Sequence, residues 1–178
     1  MGSTPPFLVI TLRKVNKYFW RHCRKLTTHG GEVKKCQQGT TVASRLFKWL
    51  WKSHMLNKEK FFFWLLLRDK LNTRGLLRRK RMHLCSYDYV VCVGHLEESI
   101  IHLFFDYPFS QACWIFLDSH YKSSLPLLNM VIAACEQFSS VFFREVIVLA
   151  CWTIWCNRNR IIVENEVISI SRCKAFFS

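Results

Sequence analysis

Glycine and proline are scarce in this sequence, six and four among 178 residues. So few turn residues argue against a many-stranded β fold and against a low-complexity chain. No internal period shows, which excludes a repeat solenoid. An apolar run of transmembrane length is also missing. The longest, Val146–Cys156, is too short to span a bilayer and is flanked by Arg144, Glu145 and Arg158; it reads as a buried helix. No secretory signal is expected, because Met1 is followed by Gly, Ser, Thr and two prolines and the apolar run Phe7–Ile10 is short. Acidic residues are nearly absent from the first half. Residues 1–81 hold only Glu32, Glu59 and Asp69 against 20 Lys or Arg, whereas residues 82–178 hold nine acids against six bases. The first half therefore attracts a polyanion and the second half does not. Nucleic acid and an anionic membrane surface both fit that charge, and a merely solvated basic face is the alternative.

Apolar material is plentiful. Half the residues are hydrophobic (51%), with seven Trp and 15 Phe, enough for a packed core and too much for global disorder. Nine cysteines stand at 23, 36, 85, 92, 113, 135, 151, 156 and 173. Their odd number and irregular spacing read as reduced thiols, which places the chain inside the cell, in cytosol or nucleus.

The periodicity predicts a mainly α fold with one small, irregular, zinc-knuckle-like segment at its centre. Residues 1–41 form a basic and flexible N-terminal segment. Residues 42–118 form the central domain, and 119–178 a helical tail. In 42–56, Val42, Leu46, Phe47, Leu50 and Trp51 line one helix face, with Arg45, Lys48 and Lys52 opposite. A second helix over Lys58–Lys70 is apolar all round from Phe61 to Leu67 and needs several neighbours to bury it. Thr73 is placed to cap a short third helix ending in Arg78-Arg79-Lys80-Arg81. Pro108 opens a helix towards Asp118, with a stripe of Phe109, Ala112, Cys113, Phe116 and Leu117. Further helices cover Leu127–Phe138 and Val141–Val163. The seam of the last runs through Phe142, Val146, Leu149, Trp152 or Thr153, and Cys156, before Asn157-Arg158-Asn159-Arg160 turns it polar.

Chemistry-bearing motifs are few. There is no glycine-rich phosphate loop, nucleophile elbow or HExxH helix, and no enzymatic constellation is read here. The adjacent Glu97 and Glu98 would point apart on a helix rather than converge. The stretch Ser86–Ser110, SYDYVVCVGHLEESIIHLFFDYPFS, is the exception. Cys92 and His102 stand as two zinc ligands would, but Tyr89 and Tyr107 occupy the positions that would complete a tetrahedron. Neutral phenol is a poor zinc ligand beside thiolate and imidazole, and its pKa near 10 disfavours the phenolate. His83, Cys85, His95 and Cys113 are near enough in sequence to offer substitutes, and Cys85, Cys92, His95 and His102 make one conceivable set.

The run KFFFWLLLRDKLNTRGLLRRKRMHLCSYDYVVC, followed by Glu97-Glu98, His102-Leu103-Phe104 and Cys113-Trp114, resembles a known family. It is similar to the zinc-binding domain that follows the reverse transcriptase in plant non-LTR (LINE-type) retroelements. The matching features are Phe62 and Trp64, then Asp69, Leu71, Thr73, Arg74 and Leu77, then the basic run Arg78–Arg81 and Cys92. The stretch Ala150–Asn165 looks like the tail that follows this domain in such elements. The resemblance covers 42–118 and, more loosely, 140–165. It implies a non-catalytic, retroelement-derived module. RNA or DNA is the expected partner, held by Arg74, Arg78, Arg79, Lys80 and Arg81, and a reverse transcriptase core is the ancestral one. No membrane or small-molecule partner is expected. The resemblance implies zinc as cofactor. Two of the family's cysteines fall on Tyr89 and Tyr107, so the site is expected to be degenerate and the metal lost. The alternative reading is an inactive remnant or a protein-interaction helical module that binds neither metal nor nucleic acid.

Overall fold

The computed structural model describes residues 42–89, 92, 94–117, 125–137 and 142–164. The expected basic segment 1–41 and the end of the tail lie outside these residues. The described chain is mainly helical, and no strand occurs among the described residues. In order come α1 (Val42–Lys52), α2 (Asn57–Leu67), α3 (Arg74–Arg79), a π-helical turn (His102–Asp106), α4 (Pro108–Phe116), α5 (Leu127–Gln137) and α6 (Phe143–Glu164).

Helix α1 buries Leu46, Phe47 and Leu50 and exposes Arg45, Lys48 and Lys52, as its periodicity predicts. It ends at Lys52, where Lys60 of α2 caps its C-terminus. The Lys60 ammonium donates to the carbonyls of Trp51 and Ser53 at 3.4 and 2.5 Å. A cation there satisfies orphan carbonyls and opposes the negative end of the helix dipole. Helix α2 starts where the Glu59 side chain accepts the Leu56 N–H, 3.3 Å. Its Phe61, Phe62, Phe63, Trp64, Leu66 and Leu67 are all buried. An apolar circumference of this kind needs cover on several sides, and α1 and α6 supply part of it.

Helix α6 supplies the largest share of that cover. Phe62 meets Trp152 edge to face with ring centroids 5.2 Å apart, and Phe104 lies nearly parallel to Trp155 at 6.5 Å. The expected seam of α6 is corrected here. Phe142 precedes the helix and is exposed, and Val146, Leu149 and Cys156 are only half-buried. The deepest positions are Ile147, Val148, Ala150, Cys151, Ile154 and Trp155. These positions do repeat at helical spacing, but Val146, Leu149 and Cys156 on the half-buried face are apolar too, so hydrophobicity alone does not tell which face meets the core. The expected polar end is corrected too, since Asn157 and Arg158 are buried.

Between α3 and the π turn the chain reverses direction. Asp88 pairs with Glu97 in an isolated antiparallel bridge, with Tyr89 N–H donating to Leu96 O (2.9 Å) and Glu98 N–H to Tyr87 O (3.0 Å). Helix α3 lies flush against this reversal at Gly75, whose N–H donates to Glu98 O at 3.0 Å. A Cβ on Gly75 would meet Glu98 O and Glu97 Oε1 at 2.9 Å, so only glycine allows the approach.

Candidate functional site

Two neighbouring loci carry the residues singled out by the sequence. The first is built by the reversal and the π turn. Tyr89 and Cys92 sit on a tight turn closed by Cys92 N–H donating to Tyr89 O, 3.0 Å. His102 and Tyr107 bracket the π turn, where Tyr107 N–H donates to His102 O at 2.9 Å. That bond spans one residue more than an α-helical bond and sets both side chains towards the reversal. Pro108 then starts α4, since its missing N–H costs nothing in a first turn. The Trp114 indole donates to Phe104 O and the Ser110 hydroxyl to Leu103 O, both at 2.6 Å, so α4 fastens the π turn from behind.

The side chains at 89, 102 and 107 converge. Tyr89 and Tyr107 meet edge to face with ring centroids 4.6 Å apart, and His102 lies 6.0 Å from each. Both tyrosines are buried, while Cys92 is half-buried against the same core. The Nε2 atom of His102 is buried with no hydrogen-bond partner among the described residues. Burial pushes the Tyr89 phenol far above its ordinary value, aided by Glu98, and pushes Tyr107 up as well.

This donor set does not fit structural zinc. It offers one thiol, one imidazole and two phenols that burial keeps protonated, whereas such a site draws four ligands from Cys and His. The substitute set is not assembled either. Cys85 and His95 are exposed, His95 pairs with Asp88 at 3.5 Å, and Cys113 is buried in α4. Among the described residues no group of three or more His, Cys, Asp and Glu side chains is placed to hold a metal ion.

The second locus is the tail of α3. Thr73 caps the helix as expected, its hydroxyl accepting from Leu76 N–H at 3.2 Å. Arg78, Arg79, Lys80 and Arg81 are all exposed. Arg78 pairs with Glu97 at 2.8 Å and Arg79 with Asp69 at 2.6 Å, while Lys80 donates to the Asn72 side chain at 3.1 Å. The Asp69 hydrogen bond holds the Arg79 guanidinium above its usual range.

Arg74 does not join that face, which corrects its expected role as a phosphate contact. It is buried, its Nη1 donates to Asp88 O at 2.8 Å, and its backbone N–H donates to Glu98 Oε1 at 2.9 Å. It holds α3 to the reversal.

Glu98 is the residue whose importance spacing alone does not reveal. Fully buried, it accepts from Arg158 Nε at 3.1 Å and from Arg158 Nη2 at 2.5 Å. It thus joins α3, the reversal and α6. Sixty residues separate the partners, and no local period relates them. The nearest signal was the presence of both Glu97-Glu98 and the 157–160 stretch among the motifs of the resemblance. Glu97 points to solvent and Glu98 inward, so the two carboxylates do diverge, from extended backbone rather than from a helix.

Among the described residues no helix is long and apolar enough to cross a membrane. No curated protein and no solved structure matches the chain. Residues 31–114, from ahead of α1 into α4, match the model of the family described as zinc-binding in reverse transcriptase.

Proposed function

We propose that this chain is a non-catalytic, retroelement-derived module of the plant LINE-type reverse transcriptase zinc-binding class, which associates with RNA or DNA without a resident zinc. The observation that carries the reading is the family match over residues 31–114, within which Arg78, Arg79, Lys80 and Arg81 stand exposed in one run. Contact of this kind is driven by phosphate charge and reads little sequence. The nearby aromatic Trp64 is buried in the core, so it is no stacking platform for bases. A nuclear or cytosolic location goes with the reading.

The test is titration of the full chain with a fluorescent oligonucleotide across a salt series. Affinity falls as salt rises, and Arg78→Gln, Arg79→Gln, Lys80→Gln and Arg81→Gln together make that fall shallower, by roughly one unit of logarithmic slope for each phosphate no longer neutralised. Binding that ignores both salt and these substitutions refutes the proposal.

The inactive-remnant or protein-interaction reading has its own support. Ile115 near the end of α4 is 68% exposed and Phe142 ahead of α6 is 73% exposed, large apolar side chains left in water. Salt-insensitive binding together with self-association of the purified chain would favour it.

A further inference from the structure

We infer that Tyr89, His102 and Tyr107, with Cys92 beside them, form a metal-free aromatic clasp that joins the reversal to the π turn where an ion would otherwise join them. The inference rests on the module reading of residues 31–114 and is independent of nucleic-acid association.

Three observations carry it. The first is convergence. Side chains far apart in sequence meet at one point, with ring centroids at 4.6, 6.0 and 6.0 Å. A zinc ion would need donor atoms roughly 2.0–2.3 Å from a common centre, whereas the contacts here are edge-to-face between rings. The second is donor chemistry, since two of the four side chains are phenols buried to 3% and 7% exposure. The edge-to-face contact of Tyr89 on Tyr107 uses the ring quadrupoles and needs no ion. The third is independent anchoring. Tyr89 is held by Leu96 O and Tyr107 by His102 O, both through main-chain hydrogen bonds of 2.9 Å. Each half of the site therefore keeps its own main-chain geometry when a side chain is exchanged, while the join between the halves is left to the side chains.

The anchoring predicts a reversible exchange. A Tyr89→Cys/Tyr107→Cys double variant presents three thiols and one imidazole at the same place, a donor set that suits zinc.

The experiment uses the full chain and compares thermal unfolding with added zinc or with EDTA, beside cobalt titration followed by its thiolate charge-transfer absorption. The native chain melts at the same temperature in both media and shows no cobalt–thiolate band. Tyr107→Ala lowers that temperature equally with and without zinc. The double-cysteine variant takes up one equivalent of metal, and EDTA lowers its melting temperature. One tightly held zinc in the native chain overturns the inference, as does a Tyr107→Ala variant as stable as the parent. A folded double-cysteine variant that ignores cobalt overturns the claim that the positions are pre-gathered. Should that variant fail to fold, the native chain and Tyr107→Ala decide alone. Loss of oligonucleotide binding would sink the proposed function and leave the clasp untouched.

Discussion

In the layer of α1, α2 and α6 the backbone satisfies its own hydrogen bonds, and the side chains need only be apolar and fit. In the reversal and π turn, among the described residues of 87–107, one isolated bridge pairs the chain, and specific side chains add further connections. The first region is stabilised by area. Phe62, Phe63, Leu66, Ile147 and Ile154 are all fully buried, each worth about 1.5–3 kcal/mol relative to exposure. The second depends on a few directional contacts, namely Glu98 with Arg158, Arg74 with Asp88, and Tyr89 with Tyr107. Area tolerates conservative exchange among apolar residues, whereas a directional contact does not survive loss of one partner.

The largest test of that contrast is Arg158→Met. It leaves the Glu98 carboxylate buried without its counter-ion, and the expected loss is about 3–5 kcal/mol in urea unfolding. A loss below about 1 kcal/mol would mean that the reversal is held by packing like the helical layer, and the comparison would fail.

Alkaline pH probes the helical layer instead. Burial pushes the Cys156 thiol from its ordinary 9.0 up to about 11, and it raises Cys151 as well. The folded pKa lies above the unfolded one, so the unfolded chain releases its protons first as pH rises. The contribution of these thiols to stability is therefore constant below about pH 9 and falls above it, by on the order of 2 kcal/mol at pH 11 from Cys156 alone. Denaturant midpoints measured from pH 7 to pH 11 check the sign. A midpoint that rises with pH would contradict the burial of these groups.

The smallest effect belongs to the border between the regions. Thr73→Ala removes the cap of α3, the helix that abuts the reversal at Gly75. The expected cost is about 1 kcal/mol, with amide hydrogen exchange rising first around residues 74–79. Exchange rising evenly over the whole chain would show that the two regions unfold as one unit.

The family match ends at residue 114, yet the structural unit does not. Helix α6 lies beyond it and supplies Arg158 to Glu98 and both Trp152 and Trp155 to the core. A fragment cut at the end of the matched stretch would leave Glu98 without its counter-ion in an exposed apolar seam.

Local sequence determined the helices, because a helix is defined by neighbours three and four residues apart. The alternation of Leu46, Phe47 and Leu50 with Arg45 and Lys48 gave α1, Thr73 gave the start of α3, and Pro108 gave the start of α4. Local sequence also named positions 89, 92, 102 and 107 as one candidate site. Only the tertiary structure decided what that site is made of and which charges lie inside. Arg74 and Arg79 both read as exposed cations, yet one is buried on Asp88 and the other meets solvent. Glu97 and Glu98 are adjacent and chemically alike, yet only Glu98 is buried. The physical reason is range. A charge enters a core only where a partner from another part of the chain meets it, and the partner of Glu98 stands on α6, beyond the reach of any local pattern.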